Sequence, residues 1–147
     1  LKKVLNERFL AYPRFRQKVV ETPTGTFWQN DADFDLDYHV RLSALPGKAD
    51  KAALERFVSQ MASTPLDKSK PLWQFHLVEK YDGGSALITR IHHCYADGIK
   101  QPGHSRVTIF FGRSGRPVKQ MRLMPAELAY AIARRLQGRR IGTVSVI

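Results

Sequence analysis

Cysteine is almost missing from this chain: Cys94 stands alone among 147 residues. A lone thiol excludes an internal disulfide and leads one to expect a reducing, cytoplasmic compartment. No apolar run is long enough to span a membrane, and no charged-then-apolar leader pattern opens the chain. The first residue is Leu rather than Met, so the true start is expected to lie upstream. No pair of histidines or acids has metal-ligand spacing, and no metal is expected. Acidic residues are scarce in one region only. After Ile99, Glu127 is the single acid against 10 Lys and Arg, a net of +9, whereas residues 1–99 hold 14 Lys and Arg against 12 Asp and Glu, a net of +2. The formal charge of +11 therefore belongs to the C-terminal stretch, and composition breaks just after Ile99. At 43% hydrophobic, the chain has enough apolar content for the core of one ordinary domain.

What is present in quantity is an apolar run that ends in two imidazoles. Ala86, Leu87, Ile88 and Ile91 lead into His92 and His93, and Asp97-Gly98 closes the stretch with a turn. This reads as a buried strand delivering chemistry at its own end, where scaffolds place reactive groups. Strand side chains alternate between faces, so only one of the two histidines can look into a given pocket. A neutral imidazole there suits general-base work, taking a proton from a hydroxyl or amine as it attacks a carbonyl.

His92-His93-Cys94-Tyr95-Ala96-Asp97-Gly98 resembles the HHxxxDG motif of the CoA-dependent acyltransferase superfamily, which includes chloramphenicol acetyltransferases and peptide condensation domains. Three further segments narrow the likeness: Tyr12-Pro13-Arg14-Phe15-Arg16, Asp33 to Arg41, and Pro71-Leu72-Trp73 following Pro65-Leu66-Asp67. In that order they are similar to the bacterial wax ester synthase / acyl-CoA:diacylglycerol acyltransferase family, over residues 1–99.

Elsewhere the chain reads as mixed α/β. Leu1, Val4, Leu5 and Phe9 form a helical stripe ended by Pro13. Phe15 to Glu21 reads as a strand, Pro23 to Gly25 as its turn and Thr26 to Gln29 as its return, with Phe27 and Trp28 taken as core. Asp31, Asp33, Asp35 and Asp37 alternate with Ala32, Phe34, Leu36 and Tyr38, which predicts a strand with one solvated acidic face. His39, Arg41 and His76 are expected as strand residues with a partner. Ala53, Leu54, Phe57, Val58, Met61 and Ala62 predict an amphipathic helix over Asp50 to Ser63. Leu66 to Pro71 reads as a loop, and Trp73 to Lys80 as a strand joined to the motif strand by a glycine turn. Beyond Ile99, Pro102-Gly103 breaks the helix that the resemblance implies. Residues 100–147 thus read as a basic tail departing from the family, either a genuine arm for anionic lipid or nucleic acid or an out-of-frame, disordered stretch.

The resemblance implies an α/β (α+β) fold, a mixed sheet flanked by helices that forms part of the N-terminal half of a chloramphenicol-acetyltransferase-like two-domain structure. It implies O-acyl transfer from acyl-CoA, as substrate with no resident cofactor, to a fatty alcohol or diacylglycerol. His93 would be the base and His92 its support, while Asp97 would hold the turn through an ion pair. Gly98 would leave room for the acyl group, with Pro71, Leu72 and Trp73 near substrate. Peripheral contact with a membrane or lipid inclusion is expected, and nucleic acid is not the expected partner. The other readings are a different HHxxxDG acyltransferase or condensation domain, and a non-catalytic fragment binding lipid or nucleic acid.

Overall fold

The computed structural model describes residues 1–81, 84–92, 94–97, 105–112 and 143–146, and from residue 96 onward it describes the backbone alone. Its centre is a mixed five-stranded sheet of β3 (Val40–Ser43), β4 (Trp73–Tyr81), β5 (Gly84–His92), β6 (Ser105–Gly112) and β7 (Thr143–Val146), in that spatial order. β3 runs parallel to β4, and the other neighbours are antiparallel. β1 (Gln17–Thr22) and β2 (Gly25–Asn30) make a separate antiparallel ribbon. This is the mixed sheet with helices that the sequence leads one to expect. The sheet also runs past Ile99, the position of the composition break, because β6 pairs with β5 along its whole length.

Both faces of β4 and β5 are covered, which explains why apolar residues of β5 point to both sides, Leu87 and Ile91 to one and Ala86 and Ile88 to the other. On one face the N-terminal segment packs Leu5, Phe9 and Phe15 against Val40, Trp73, Phe75, Leu87 and Ile91. That segment winds as α1 (Lys2–Val4), a π-helical turn over Leu5–Phe9 and a 3-10 turn over Pro13–Arg16. On the other face α3 (Lys51–Ser63) sets Ala53, Leu54, Val58 and Met61 on Val78, Ala86 and Ile88. The Asp50 carboxylate accepts the Ala53 N–H at 2.9 Å and caps α3, so the helix starts where the apolar periodicity starts.

Several local expectations are corrected. Asp31 to Tyr38 forms no strand: Asp35 caps the short helix α2 (Leu36–His39) by accepting the Asp37 N–H at 2.8 Å, a local bond that outcompetes extended pairing. His39 is accordingly helical. Asp31 is buried, not solvated, with Lys18 and Lys70 at 3.9 and 3.7 Å. Phe27 is 51% exposed because, among the described residues, no layer covers the outer face of the β1–β2 ribbon. Ala62 is exposed on the far side of α3. Phe15 lies in the 3-10 turn, and the strand begins two residues later. The turn expected after β4 falls partly outside the described residues, and within β4 Lys80 is left-handed, at φ 58°, at a register shift between Glu79 and Tyr81.

The sheet also buries polar groups. His76 lies under α3, its Nδ1 3.1 Å from Ser43 Oγ and its ring edge-on to Phe57. Burial, with Arg41 and Arg90 adding to it, lowers this imidazole from 6.5 to about 4. A depressed imidazole makes the folded state resist protonation that the unfolded chain accepts. The stability it contributes is complete above about pH 6.5 and is lost as pH falls toward about 4, a drop of up to about 3 kcal/mol. Urea unfolding of the chain and of His76→Gln at pH 7.5 and 4.5 measures this: the variant should lose part of the drop, and an equal drop in both would contradict it.

Candidate active site

β5 sits between β4 and β6, with every residue from Gly84 to Ile91 buried. Alternation puts Leu87, Thr89 and Ile91 toward the N-terminal segment, and Ile88, Arg90 and His92 toward α3. His92 is half-buried at the strand end. Its Nδ1 accepts the Cys94 N–H at 3.2 Å, so the imidazole satisfies a backbone donor of α4 (Cys94–Asp97) that has no partner within that short helix. The bond requires Nδ1 to be unprotonated and so selects the Nε2–H tautomer.

The Pro71-Leu72-Trp73 segment is tied to this turn by two main-chain contacts. The Leu72 carbonyl accepts the His92 N–H at 2.9 Å, and the Leu72 N–H donates to the Tyr95 hydroxyl at 3.1 Å. Tyr95 in turn stacks on Phe15 and tilts against Trp28, at centroid distances of 5.0 and 5.2 Å. Four stretches distant in sequence thereby meet around the motif. Trp73 has no exposed surface, and its indole N–H donates to the Phe15 carbonyl at 2.8 Å. The His39 ring stacks on it at 4.3 Å while His39 Nδ1–H donates to the Trp73 carbonyl at 2.7 Å. Pro71 and Leu72 are buried as well.

Of the motif's chemistry, His93 and Gly98 lie outside the described residues. Asp97 is placed by its backbone, as the last residue of α4. Cys94 is buried, and burial pushes its thiol up to about 11, so at neutral pH it is a thiol and not a thiolate nucleophile. Burial raises the Tyr95 phenol too, which keeps it a neutral acceptor for Leu72. Among the described residues no group of three or more His, Cys, Asp or Glu converges as a cation site. Sequence reasoning missed Tyr95, which sits at an unspecified position of the motif. An aromatic directly after a strand-to-helix turn was the available signal.

Residues 1–142 match the family of wax ester synthase/diacylglycerol acyltransferase catalytic domains. The chain belongs to that family. A probable diacylglycerol O-acyltransferase of Mycobacterium tuberculosis (strain CDC 1551 / Oshkosh) is 40% identical over 103 residues, covering 67% of this chain and 38% of that protein. Among solved structures, the wax ester synthase/diacylglycerol acyltransferase of Marinobacter aquaeolei VT8 superposes with a TM-score of 0.52 and 35% identity, covering 58% of this chain and 22% of that one. The chain thus spans well under half the length of these relatives. Its family match runs past Ile99, whereas the alignment to the mycobacterial relative leaves about a third of the chain outside.

The wax ester synthase/diacylglycerol acyltransferase motif is held in this chain by Tyr95, and that dependence is measurable. Tyr95→Phe keeps the ring stack but strands the buried Leu72 N–H, and should lower stability by about 1–3 kcal/mol. Chemical denaturation of the two chains checks this. An unchanged midpoint would mean that the hydroxyl carries no weight in joining Leu72 to the motif.

Proposed function

We propose that this chain is part of an acyltransferase that moves a long-chain acyl group from acyl-CoA to a fatty alcohol or diacylglycerol, with His93 as general base. The observation that supports it is the placement of the HHxxxDG motif: it leaves the end of a fully buried central strand and is fastened to Pro71-Leu72-Trp73 in a chain matched to the family over residues 1–142. In this reading the acceptor's hydroxyl proton passes to the His93 imidazole while its oxygen attacks the thioester carbonyl. The carbon–sulfur bond of the tetrahedral species then breaks, and the imidazolium returns the proton to the CoA thiolate. His92 positions the turn through its bond to the Cys94 N–H, Asp97 holds the turn by an ion pair, and Gly98 leaves space for the acyl chain. Pro71 and Leu72 line the approach, with Trp73 buttressing them from the core.

Peripheral association with a membrane or lipid inclusion belongs to the same proposal, since both acceptors are lipids. Among the described residues no helix is long and apolar enough to cross a bilayer. We further propose that the chain divides at Ile99, residues 100–147 being a basic tail that is either a genuine arm or out of frame. The nucleotide sequence decides between the two. Another frame after the Ile99 codon that restores an apolar helix and the remainder of the family's length removes the arm. A continuous native frame, which the family match to residue 142 supports, removes the frame shift.

Two kinetic outcomes follow. The 147-residue chain alone should give no acyl transfer above the uncatalysed rate, because a tunnel between two halves cannot be preorganised by one of them. In the full-length parent, His93→Ala should lower turnover about 10²–10⁴-fold with little change in melting temperature. His92→Ala should act mainly on melting temperature. Turnover with labelled acyl-CoA and alcohol, diacylglycerol or amine acceptors, measured beside thermal unfolding, decides the assignment. A stably folded but inactive His92→Ala reverses the two roles, and product from amines alone favours a condensation-type reaction.

A further inference from the structure

A cleft of about 580 Å³ opens between the C-terminal end of α3, the loop after it and the α3-facing side of β4 and β5. None of the described motif residues lines it. Its floor carries Arg90 and His76, diagonal neighbours on one sheet face, 5% and 8% exposed. Each has a buried nitrogen without a hydrogen-bond partner among the described residues: Nε of Arg90 and Nε2 of His76. The rest of the Arg90 head is held in place, Nη1 donating to Gln74 Oε1 at 3.2 Å and Nη2 to the Thr64 carbonyl. Both acceptors are neutral. A buried guanidinium held only by neutral acceptors is an expensive arrangement, and an anion that reaches its unpartnered Nε–H relieves it.

The charge count around the cleft limits what that anion is. Asp67 is the one carboxylate on the lining, and it is engaged already, accepting Ser69 N–H and Oγ–H at 2.9 and 2.8 Å. Against it stand Arg90 at the floor and Arg41 at the rim, where Arg41 Nε donates to the Tyr38 carbonyl and its guanidinium covers the Tyr38 ring. Two cations and one anion leave room for one negative charge, which suits a carboxylate better than a phosphate dianion. The neighbouring wall is apolar, made by Phe57, Met61, Pro65 and Leu66. A volume near 580 Å³ lies in the range of small-molecule sites.

We propose that this cleft binds an aliphatic carboxylic acid, with its carboxylate on Arg90 Nε and its chain along Phe57 and Met61. His76 supplies a second donor when Nδ1 accepts from Ser43 Oγ–H, because the proton then sits on Nε2. The recognition requires only the carboxylate head and an apolar tail, and it does not depend on acyl transfer by the motif.

The test titrates the ¹⁵N-labelled 147-residue chain with decanoate, decanol and inorganic phosphate, by calorimetry and by arginine Nε–H spectra. The expected result is saturable binding of decanoate, with one Nε–H resonance moving downfield, and no comparable binding of decanol or phosphate. Arg90→Gln keeps a polar amide near Gln74 and Thr64 but removes the charge, and should weaken decanoate by about tenfold or more. Equal affinity for decanol would reduce the cleft to an apolar groove, and phosphate binding as tight as decanoate would make it an unselective anion site. Either result overturns the proposal, as does unchanged affinity in Arg90→Gln. Should that variant not fold, the Nε–H spectrum of the unmodified chain decides alone: a saturated decanoate complex with no shifted Nε–H resonance also overturns it.

Discussion

Trp73 gives up all its surface to the protein, and the way its polar atoms are answered organises the rest of the described fold. The indole N–H finds the Phe15 carbonyl, and the Trp73 carbonyl accepts from the buried His39 ring, which also stacks on the indole. A buried indole or carbonyl left unanswered costs more than a made bond contributes, so these two partners are obligatory once Trp73 is inside. They draw the 3-10 turn and α2 onto the start of β4. Phe9 and Phe75 meet the indole edge-on at 4.8 and 5.4 Å and complete the layer beneath the sheet.

From that anchor the position of the motif follows. β4 begins at Trp73, so Leu72 is the last residue before the strand, and its two main-chain groups are those that hold His92 and Tyr95. A displacement of Trp73 would therefore reach the motif through one peptide unit. A short mechanical path of this kind holds the turn after β5 tightly in position. The contact of Leu72 with His92 braces the strand end, with Trp73 acting from the core.

The two faces of the sheet differ in character. Toward the N-terminal segment, an aromatic layer encloses the His39 ring, whose Nδ1–H answers the Trp73 carbonyl while its Nε2 has no hydrogen-bond partner among the described residues. Toward α3, aliphatic packing gives way near the end of the helix to Gln74, His76 and Arg90, and one nitrogen each of His76 and Arg90 has no hydrogen-bond partner among the described residues.

Much was legible in the sequence alone. The apolar run from Ala86 to Ile91, α3 with its cap at Asp50, and the motif residues with their spacing could be read from one chain, because each depends on local periodicity or on neighbouring residues. Family membership was legible for the same reason. The acidic alternation from Asp31 to Asp37 misled: period two signals a strand only when a neighbour is there to pair, and Asp35 instead bonded its own backbone. Burial of Asp31 between Lys18 and Lys70, exposure of Phe27, the Tyr95–Leu72 contact and the half-answered Arg90 were decided by tertiary structure. Each depends on which distant segment arrives opposite a side chain, and no pattern along the chain encodes that arrival.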